Sequence, residues 1–220
     1  LRAVADAVHE VGGLFVLDCI ASGTVWVDMQ ACGIDVLISA PQKGWSASPC
    51  SALVLFSERA EAVLETTTST SFAADLKKWR QIMQAYENGG HAYHATMPTD
   101  ALKAFRDTML ETRDYGFAKV KQEQLALGTA VRELMQELGY KSVAADGFGA
   151  PGVVVSYTDN DGIQSGKAFA PLGLQTAAGV PLMCDEPEGF KTFRLGLFGL
   201  DKLHNPERTV ATLREAFAAL

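Results

Sequence analysis

Three short apolar runs in the first quarter of the chain constrain its fold more than any other feature. They read LFVLD over 14–18, DVLISA over 35–40 and SALVLFS over 51–57. A run without polar interruption is typical of a strand that is buried on both faces of a sheet. Such strands next to helices indicate α/β layering, and in that architecture binding sites form beyond the carboxyl ends of the strands.

The residues before the first run predict a helix. Its apolar residues recur at helical spacing on one face: Leu1, Val4, Val8 and Val11. Gly12 and Gly13 provide a stop signal for this helix. No capping residue and no methionine precede Leu1, so we expect that an N-terminal part of the protein is missing from the chain.

The pattern changes along the second half of the chain. A Thr/Ser-rich loop and further helical segments lead into a long amphipathic region over about 100–138, which ends at Gly139. PGVVVSY (151–157) and KTFRLGLFG (191–199) are predicted strands, and Asn205-Pro206 starts a final helix. We therefore predict two domains: 1–120 as the remainder of a large domain with the start of a linking helix, and 121–220 as a small α/β domain.

Composition excludes several classes of function. Of the 220 residues, 48% are hydrophobic and 20% are charged, which is ordinary for a globular protein with a real core. The net charge of −7 argues against a nucleic-acid partner, since no basic stripe is available for a phosphate backbone.

The four cysteines show no CxxC motif and are expected to be free thiols. No apolar stretch is long enough to span a membrane, so we expect a soluble, cytoplasmic protein.

Two charged residues lie at or just beyond the ends of predicted strands. Asp18 closes the first apolar run, and Lys43 follows the second in the segment SAPQKGW, as the only Lys or Arg between Arg2 and Arg59. A lysine amine among apolar neighbours can form a Schiff base with a carbonyl. Pyridoxal phosphate is the commonest cofactor bound in this way, and it also needs a carboxylate facing its ring nitrogen. On pattern alone, a solvated lysine and a loop-capping aspartate remain open as alternatives.

Arg194 stands in the predicted strand FRLGLFG. Alternation places Phe193, Leu195 and Leu197 on one face, and Arg194, Gly196 and Phe198 on the other. An arginine in an apolar strand needs an anion, and its planar guanidinium suits a carboxylate. A structural ion pair is the alternative on pattern alone.

A long segment around these residues resembles a known family. The stretch FVLDCIASGTVWVDMQACGIDVLISAPQKGWSASPCSALVLFSERA is similar to the core of the class V aminotransferases, in their alanine–glyoxylate/serine–pyruvate group. The resemblance continues through HAYHATMP and FRLGLFG and so covers essentially the whole chain. It implies a fold-type I pyridoxal 5'-phosphate enzyme. The chain would then comprise the C-terminal share of the large, mainly parallel-sheet domain and a small C-terminal α/β domain.

The resemblance implies cofactor-binding roles for four residues near the first strands. Asp18 matches the acid that pairs with the pyridine nitrogen, and Ile20 matches the position beneath the ring. Gln42 matches a phosphate contact. Lys43 matches the catalytic Schiff-base lysine, which also carries the α-proton.

Three further residues have implied roles. Tyr93 and Thr96 of HAYHATMP correspond to residues that reach the cofactor phosphate of a neighbouring subunit, which implies a homodimer with a shared active site. Arg194 corresponds to the arginine that binds the α-carboxylate of the substrate. The family also places its phosphate-binding helix and its ring-stacking aromatic residue upstream of the segment seen here.

The resemblance implies an aminotransferase that moves an amino group from a small amino acid, of the alanine or serine type, to glyoxylate or pyruvate through a pyridoxamine form. A related enzyme acting on an unusual amine such as pyridoxamine, a lyase of the same superfamily, and a catalytically incomplete fragment stay open as alternatives. His91 and His94 lack a third ligand, so no metal site is expected there.

Overall fold

The computed structural model describes all residues, 1–220, as two small sheets surrounded by helices. The helices are α1 (Arg2–Glu10), α2 (Met29–Cys32), α3 (Glu58–Thr66), α4 (Leu76–Glu87), α5 (Thr99–Tyr115), α6 (Phe117–Glu137), α7 (Asp161–Gln164), α8 (Leu200–Leu203) and α9 (Pro206–Ala218). The strands are β1 (Val16–Asp18), β2 (Val36–Ser39), β3 (Leu53–Phe56), β4 (Val153–Tyr157), β5 (Ala177–Ala178) and β6 (Thr192–Gly196). None of the helices combines the length and the apolar character that a bilayer span requires.

The three apolar runs form the first sheet, as predicted, in the order β1-β2-β3. β1 and β2 are parallel, whereas β3 runs antiparallel to β2, so this sheet is mixed. Burial on both faces was also expected, and this part of the prediction is wrong for this chain. Val16 is 52% exposed and Leu55 is 47% exposed. β1 lies at the sheet edge and pairs only with β2, which leaves its outer side without a neighbouring strand.

The predicted first helix is confirmed as α1, but its apolar stripe is not its buried face. Val4 is 53% exposed and Val11 is 84% exposed, whereas Ala5 is fully buried. Ala5 packs against Gly33, where an added Cβ atom would lie 3.0 Å from the Ala5 methyl group. The helix therefore packs on the rest of the chain through a small side chain, while Val8 is only partly buried and Val4 and Val11 are exposed.

A buried carboxylate joins α1 to the first sheet. Only 4% of the Asp35 side chain is exposed. It accepts hydrogen bonds from His9 Nε2 at 2.7 Å, from the Phe15 amide at 2.8 Å and from the Ser57 hydroxyl at 3.2 Å. Ser57 in turn caps α3 by accepting from the Ala60 amide. One side chain thus fixes the end of α1, the approach to β1 and the start of α3.

The long amphipathic region predicted over 100–138 is two helices rather than one. Gly116 separates α5 from α6 with φ +109°, a backbone angle that favours glycine. The predicted domain boundary at 120 falls just inside α6 and stays a prediction.

The second sheet is antiparallel, in the order β4-β6-β5. Its inner face packs on α6 and α9 in a core of 16 buried residues. The largest fully buried members are Phe169, Phe193, Leu127, Leu134 and Met135. The two strands predicted for this half are confirmed as β4 and β6, whereas the two-residue β5 gave no sequence signal.

Candidate active site

Asp18 and Lys43 follow neighbouring parallel strands, so they leave the sheet at the same edge. Asp18 is the last residue of β1 and pairs in register with Ile38 of β2. The Cys19 amide continues this pairing by donating to the Ile38 carbonyl at 2.8 Å. Lys43 lies in the turn directly after β2. Because adjacent strands lie about 4.8 Å apart, the loops that follow them start side by side.

These two loops pack against each other through glycines. A Cβ atom built on Gly44 would overlap the carbonyl oxygen of Gly23 and lie 2.5 Å from its carbonyl carbon. Gly23 itself has φ +68°, in the left-handed region. The residue next to Lys43 is therefore in backbone contact with the loop that begins at Asp18.

The Asp18 carboxylate is exposed, and only one of its two oxygens is hydrogen-bonded within the chain. Its Oδ1 accepts a hydrogen bond from the Ile20 amide at 2.8 Å, which closes the tight turn after β1. The other carboxylate oxygen has no hydrogen-bond partner. This oxygen is available to accept a proton-bearing nitrogen from a bound group.

Lys43 is partly buried and forms no ion pair or hydrogen bond within the chain. Its Nζ lies 5.7 Å from the centre of the Phe198 ring. The Lys43 carbonyl accepts from the Ser46 amide at 3.0 Å, which stabilises the turn. Gln42 beside it is exposed and likewise unbonded. Because no acid pairs with it, the Lys43 amine is free to react with a carbonyl compound.

Arg194 lies on the open face of β6, as the alternation predicted. Phe193, Leu195 and Leu197 are in the core, whereas Arg194 is partly buried and Gly196 is exposed. Arg194 Nε donates to the Ala178 carbonyl at 2.8 Å, and its two terminal nitrogens have no partner. The predicted alternative, a structural ion pair, is therefore not formed in this chain. The guanidinium is oriented by one backbone contact and keeps the two donors that bind a carboxylate.

β6 leads from Arg194 toward Lys43. Phe198, whose ring lies beside the Lys43 amine, follows Arg194 on the same chain segment, about 13 Å away if it is fully extended. Between them, a Cβ atom on Gly196 would meet only the Phe198 ring, at 3.9 Å. The space beside Gly196, between the arginine and Phe198, is thus open.

Tyr93 and Thr96 lie outside this group. Tyr93 is 76% exposed, and its hydroxyl is 3.2 Å from that of Thr96, which is also exposed. Neither hydrogen-bonds to Asp18, Lys43 or Arg194. Their predicted role in a neighbouring subunit is not tested by a single chain and stays a prediction.

Cys19 lies directly after Asp18. Burial raises the pKa of its thiol, a hydrogen bond with Ser22 lowers it by less, and the charge of Asp18 raises it further. The net effect keeps the thiol protonated, so it is a poor nucleophile next to the acid.

A cavity of about 470 Å³ lies on the Leu37 side of the first sheet. Thirteen of its fifteen lining residues are hydrophobic, including Trp26 and Trp45, and none is a predicted site residue. Cys19 and Trp45 from the two loops of the candidate site line it, but Asp18 and Lys43 do not.

The structure adds residues that the sequence had not singled out. Phe198 contacts the lysine, and Gly23 and Gly44 join the two loops. The alternation of FRLGLFG placed Phe198 on the Arg194 side, but gave no indication of its neighbour. Contacts between residues so far apart in sequence carry no local pattern.

Comparisons with known proteins give consistent results. An alanine–glyoxylate aminotransferase from Oryctolagus cuniculus is 26% identical over 228 residues, covering 98% of this chain and 56% of the relative. The crystal structure of an alanine–glyoxylate aminotransferase from Nostoc sp. aligns with a TM-score of 0.78 at 20% identity, covering 98% of this chain and 57% of that one. An aspartate aminotransferase from Thermus thermophilus aligns with a TM-score of 0.78 at 24% identity, covering 100% and 60%. No protein-family model matches the sequence.

The alignments show that the chain has the fold of the fold-type I pyridoxal-phosphate-dependent transferases, which confirms the predicted fold class. The chain spans slightly more than half the length of the relatives that it matches. Within this fold, the chain is similar to alanine–glyoxylate aminotransferases, as its sequence resemblance to the class V family indicated.

Proposed function

We propose that this chain carries the lysine, the acid and the substrate arginine of a pyridoxal-phosphate-dependent aminotransferase. The reaction would move an amino group from a small amino acid, of the alanine or serine type, to glyoxylate or pyruvate. The choice of substrates is supported by relatives that are named alanine–glyoxylate aminotransferases.

One observation carries the proposal: Lys43 is adjacent both to the loop of the acid and to the strand of the arginine. Gly44 packs on Gly23 of the loop after Asp18. The Lys43 amine lies beside Phe198, which follows the strand of Arg194. Contacts around Lys43 thus support a site built from three distant parts of the sequence.

The unpaired polar atoms fit pyridoxal phosphate. Lys43 offers an amine without a counterion, and Asp18 offers a carboxylate oxygen without a donor. Ile20 would contact the ring, and the exposed amide of Gln42 would bind the phosphate. When bound, this cofactor supplies an electron sink that stabilises negative charge at the α-carbon of an amino acid.

Each residue of the chain would have a distinct task. The Asp18 carboxylate would accept the ring N–H and, by its charge, favour the protonated ring nitrogen. The Lys43 amine would bind the cofactor covalently and then carry the proton to and from the α-carbon of the substrate. The two free nitrogens of Arg194 would bind the α-carboxylate bidentately and so orient the α-carbon.

Covalent labelling tests the proposal directly. The chain is incubated with pyridoxal phosphate, reduced with borohydride, digested and analysed by peptide mass spectrometry. We expect one major modified residue, Lys43, and a visible absorbance band of the bound cofactor that Lys43→Ala abolishes. Glycine formation from alanine and glyoxylate is the second measurement, and it should also be lost in Lys43→Ala.

Lys202 provides the matched control. Its amine also lies near Phe198, but it donates to the Phe198 carbonyl at 2.9 Å. Lys202→Ala should keep the Lys43 label and the absorbance band. Labelling of Lys202 in place of Lys43, or a band that survives Lys43→Ala, contradicts the proposal.

A further inference from the structure

Gln124 is the most completely buried polar side chain next to the candidate site. It lies on α6 with 0% exposure. Its amide nitrogen donates to the Pro151 carbonyl at 3.1 Å and to the Leu197 carbonyl at 3.3 Å. The side chain therefore joins the start of β4 to the end of β6, immediately before Phe198.

The other end of the amide faces the acid's loop. Gln124 Oε1 is buried and has no hydrogen-bond partner. A Cβ atom on Gly23 would lie 2.9 Å from this oxygen and 3.3 Å from the Phe198 ring. Because Gly23 has no side chain, Gln124 and Phe198 both pack directly on its backbone. An unpaired buried oxygen is unfavourable, so the amide is not explained by packing alone.

α6 contacts the same loop at two more points. The buried hydroxyl of Thr24 donates to the Val120 carbonyl at 3.2 Å, and Lys121 Nζ donates to the Trp26 carbonyl at 3.1 Å. Three residues of α6, at positions 120, 121 and 124, thus contact the loop that begins at Asp18. Of these, only Gln124 also bonds to the end of the strand that carries Arg194.

We propose that Gln124 is a positioning residue that sets the distance between Arg194 and the Asp18–Lys43 pair. This inference rests on the proposed function, since it concerns how the substrate carboxylate is aligned with the reacting amine. Gln124 touches neither substrate nor cofactor. It acts through the Leu197 carbonyl, which fixes the end of β6, and through Gly23, which fixes the acid's loop.

The mechanical reason is that the other side chain that contacts these segments, Phe198, does so without hydrogen bonds. Phe198 packs on Gly23 and on Gly152, where an added Cβ atom would lie 2.9 Å from its ring. These contacts are apolar and tolerate sliding, whereas hydrogen bonds fix direction. Without the amide, the end of β6 can shift along the loop, and Arg194 shifts with it.

Gln124→Met tests the inference, because methionine has similar length and no hydrogen-bonding amide. We expect covalent labelling at Lys43 to be unchanged, since acid and lysine lie on the same sheet edge. The KM for alanine should rise about tenfold, the equivalent of about 1.4 kcal/mol, whereas kcat changes less. Independently of catalysis, hydrogen exchange at the Leu197 amide, which donates to Gly152 at 2.9 Å, should accelerate about tenfold.

Gln122→Met is the matched control, because Gln122 is exposed on the same helix and has no hydrogen-bond partner. It should leave both KM and exchange at the wild-type values. If Gln124→Met does not fold, Gln124→Leu replaces it, since leucine is a smaller apolar side chain that cannot donate to the Leu197 carbonyl.

The outcomes separate the two proposals. A Gln124 variant that folds and matches Gln122→Met in KM and in Leu197 exchange overturns the positioning role. A wild-type chain that is neither labelled at Lys43 nor active overturns the proposed function alone. The exchange measurement then still decides whether Gln124 joins β6 to the acid's loop.

Discussion

Asp35 illustrates at the scale of one residue how a buried charge organises the first sheet. Burial works to raise the pKa of this carboxyl, but hydrogen bonds from the Phe15 amide, His9 and Ser57 lower it by more. The pKa therefore lies below its usual value, which means that the folded chain favours the charged form. Because Phe15 leads into β1, the same interactions support the strand that ends at Asp18.

Asp35→Asn should destabilise the chain by about 3 kcal/mol at pH 7, because it removes the charge from a buried group that accepts three hydrogen bonds. The free energy of unfolding, measured by urea denaturation, checks this. Stabilisation by a carboxyl with a lowered folded pKa is present above its unfolded pKa of about 3.9 and disappears as the pH falls through the folded value. The difference between wild type and variant should therefore shrink below about pH 4.

Asp6→Asn is the comparison for Asp35. Asp6 is 51% exposed and pairs with Arg2 on the surface of α1 at 2.8 Å. Such exposed pairs contribute about 0–1 kcal/mol. If Asp35→Asn and Asp6→Asn lowered the free energy of unfolding equally, burial and hydrogen bonding would give Asp35 no larger contribution to stability than an exposed aspartate makes.

At the scale of elements, the contact between Gly23 and Gly44 determines how the loops of Asp18 and Lys43 meet. Gly44→Ala should cost about 3 kcal/mol, since the added methyl group meets backbone that cannot rotate away. It should also weaken cofactor binding, because the loops of Asp18 and Lys43 must separate. Thermal unfolding and the absorbance of bound pyridoxal phosphate measure the two effects.

Gly196→Ala is the control for stability. A methyl group there meets only the Phe198 ring, at 3.9 Å, so the free energy of unfolding should change by less than about 1 kcal/mol. A Gly44→Ala variant that is as stable as Gly196→Ala would argue that the loops adjust freely and that the close approach is incidental.

The elements that sequence could predict are those with a strong local signal. Apolar runs gave β1, β2 and β3, and alternation gave the face of Arg194. The Gly116 break was missed because helical periodicity continues on both sides of it. The buried face of α1 was wrong because an apolar stripe indicates what could be buried, whereas neighbours decide what is.

Only part of the candidate site could be predicted from the sequence. Resemblance pointed to Asp18, Lys43 and Arg194, and in the structure the segments that carry them are in contact through Gly23, Gly44 and Phe198. Gln124 had no such signal, since a glutamine within a helix is ordinary and its importance comes from carbonyls at 151 and 197. Long-range polar contacts of this kind depend on tertiary packing, which no local window of sequence describes.

At the scale of the whole molecule, Tyr93 and Thr96 raise the question of a second subunit. They are exposed, bonded only to each other, and separate from the Asp18–Lys43–Arg194 group of their own chain. His94 between them donates to the Phe72 carbonyl at 3.1 Å and stacks on the Phe72 ring, so their loop has a defined position. We propose that this loop contributes to the active site of a partner in a homodimer.

Complementation tests the shared site. Neither Lys43→Ala nor the double variant Tyr93→Ala/Thr96→Ala should be active alone, but in a mixed dimer one site receives the intact lysine and the intact loop. Random pairing of equal amounts should restore about a quarter of the wild-type sites, measured as glycine formed from alanine and glyoxylate. Lys43→Ala mixed with Arg194→Ala is the matched control, because lysine and arginine belong to one chain and no mixed dimer gains an intact site. Recovery in both mixtures, or in neither, would place Tyr93 and Thr96 outside a shared site.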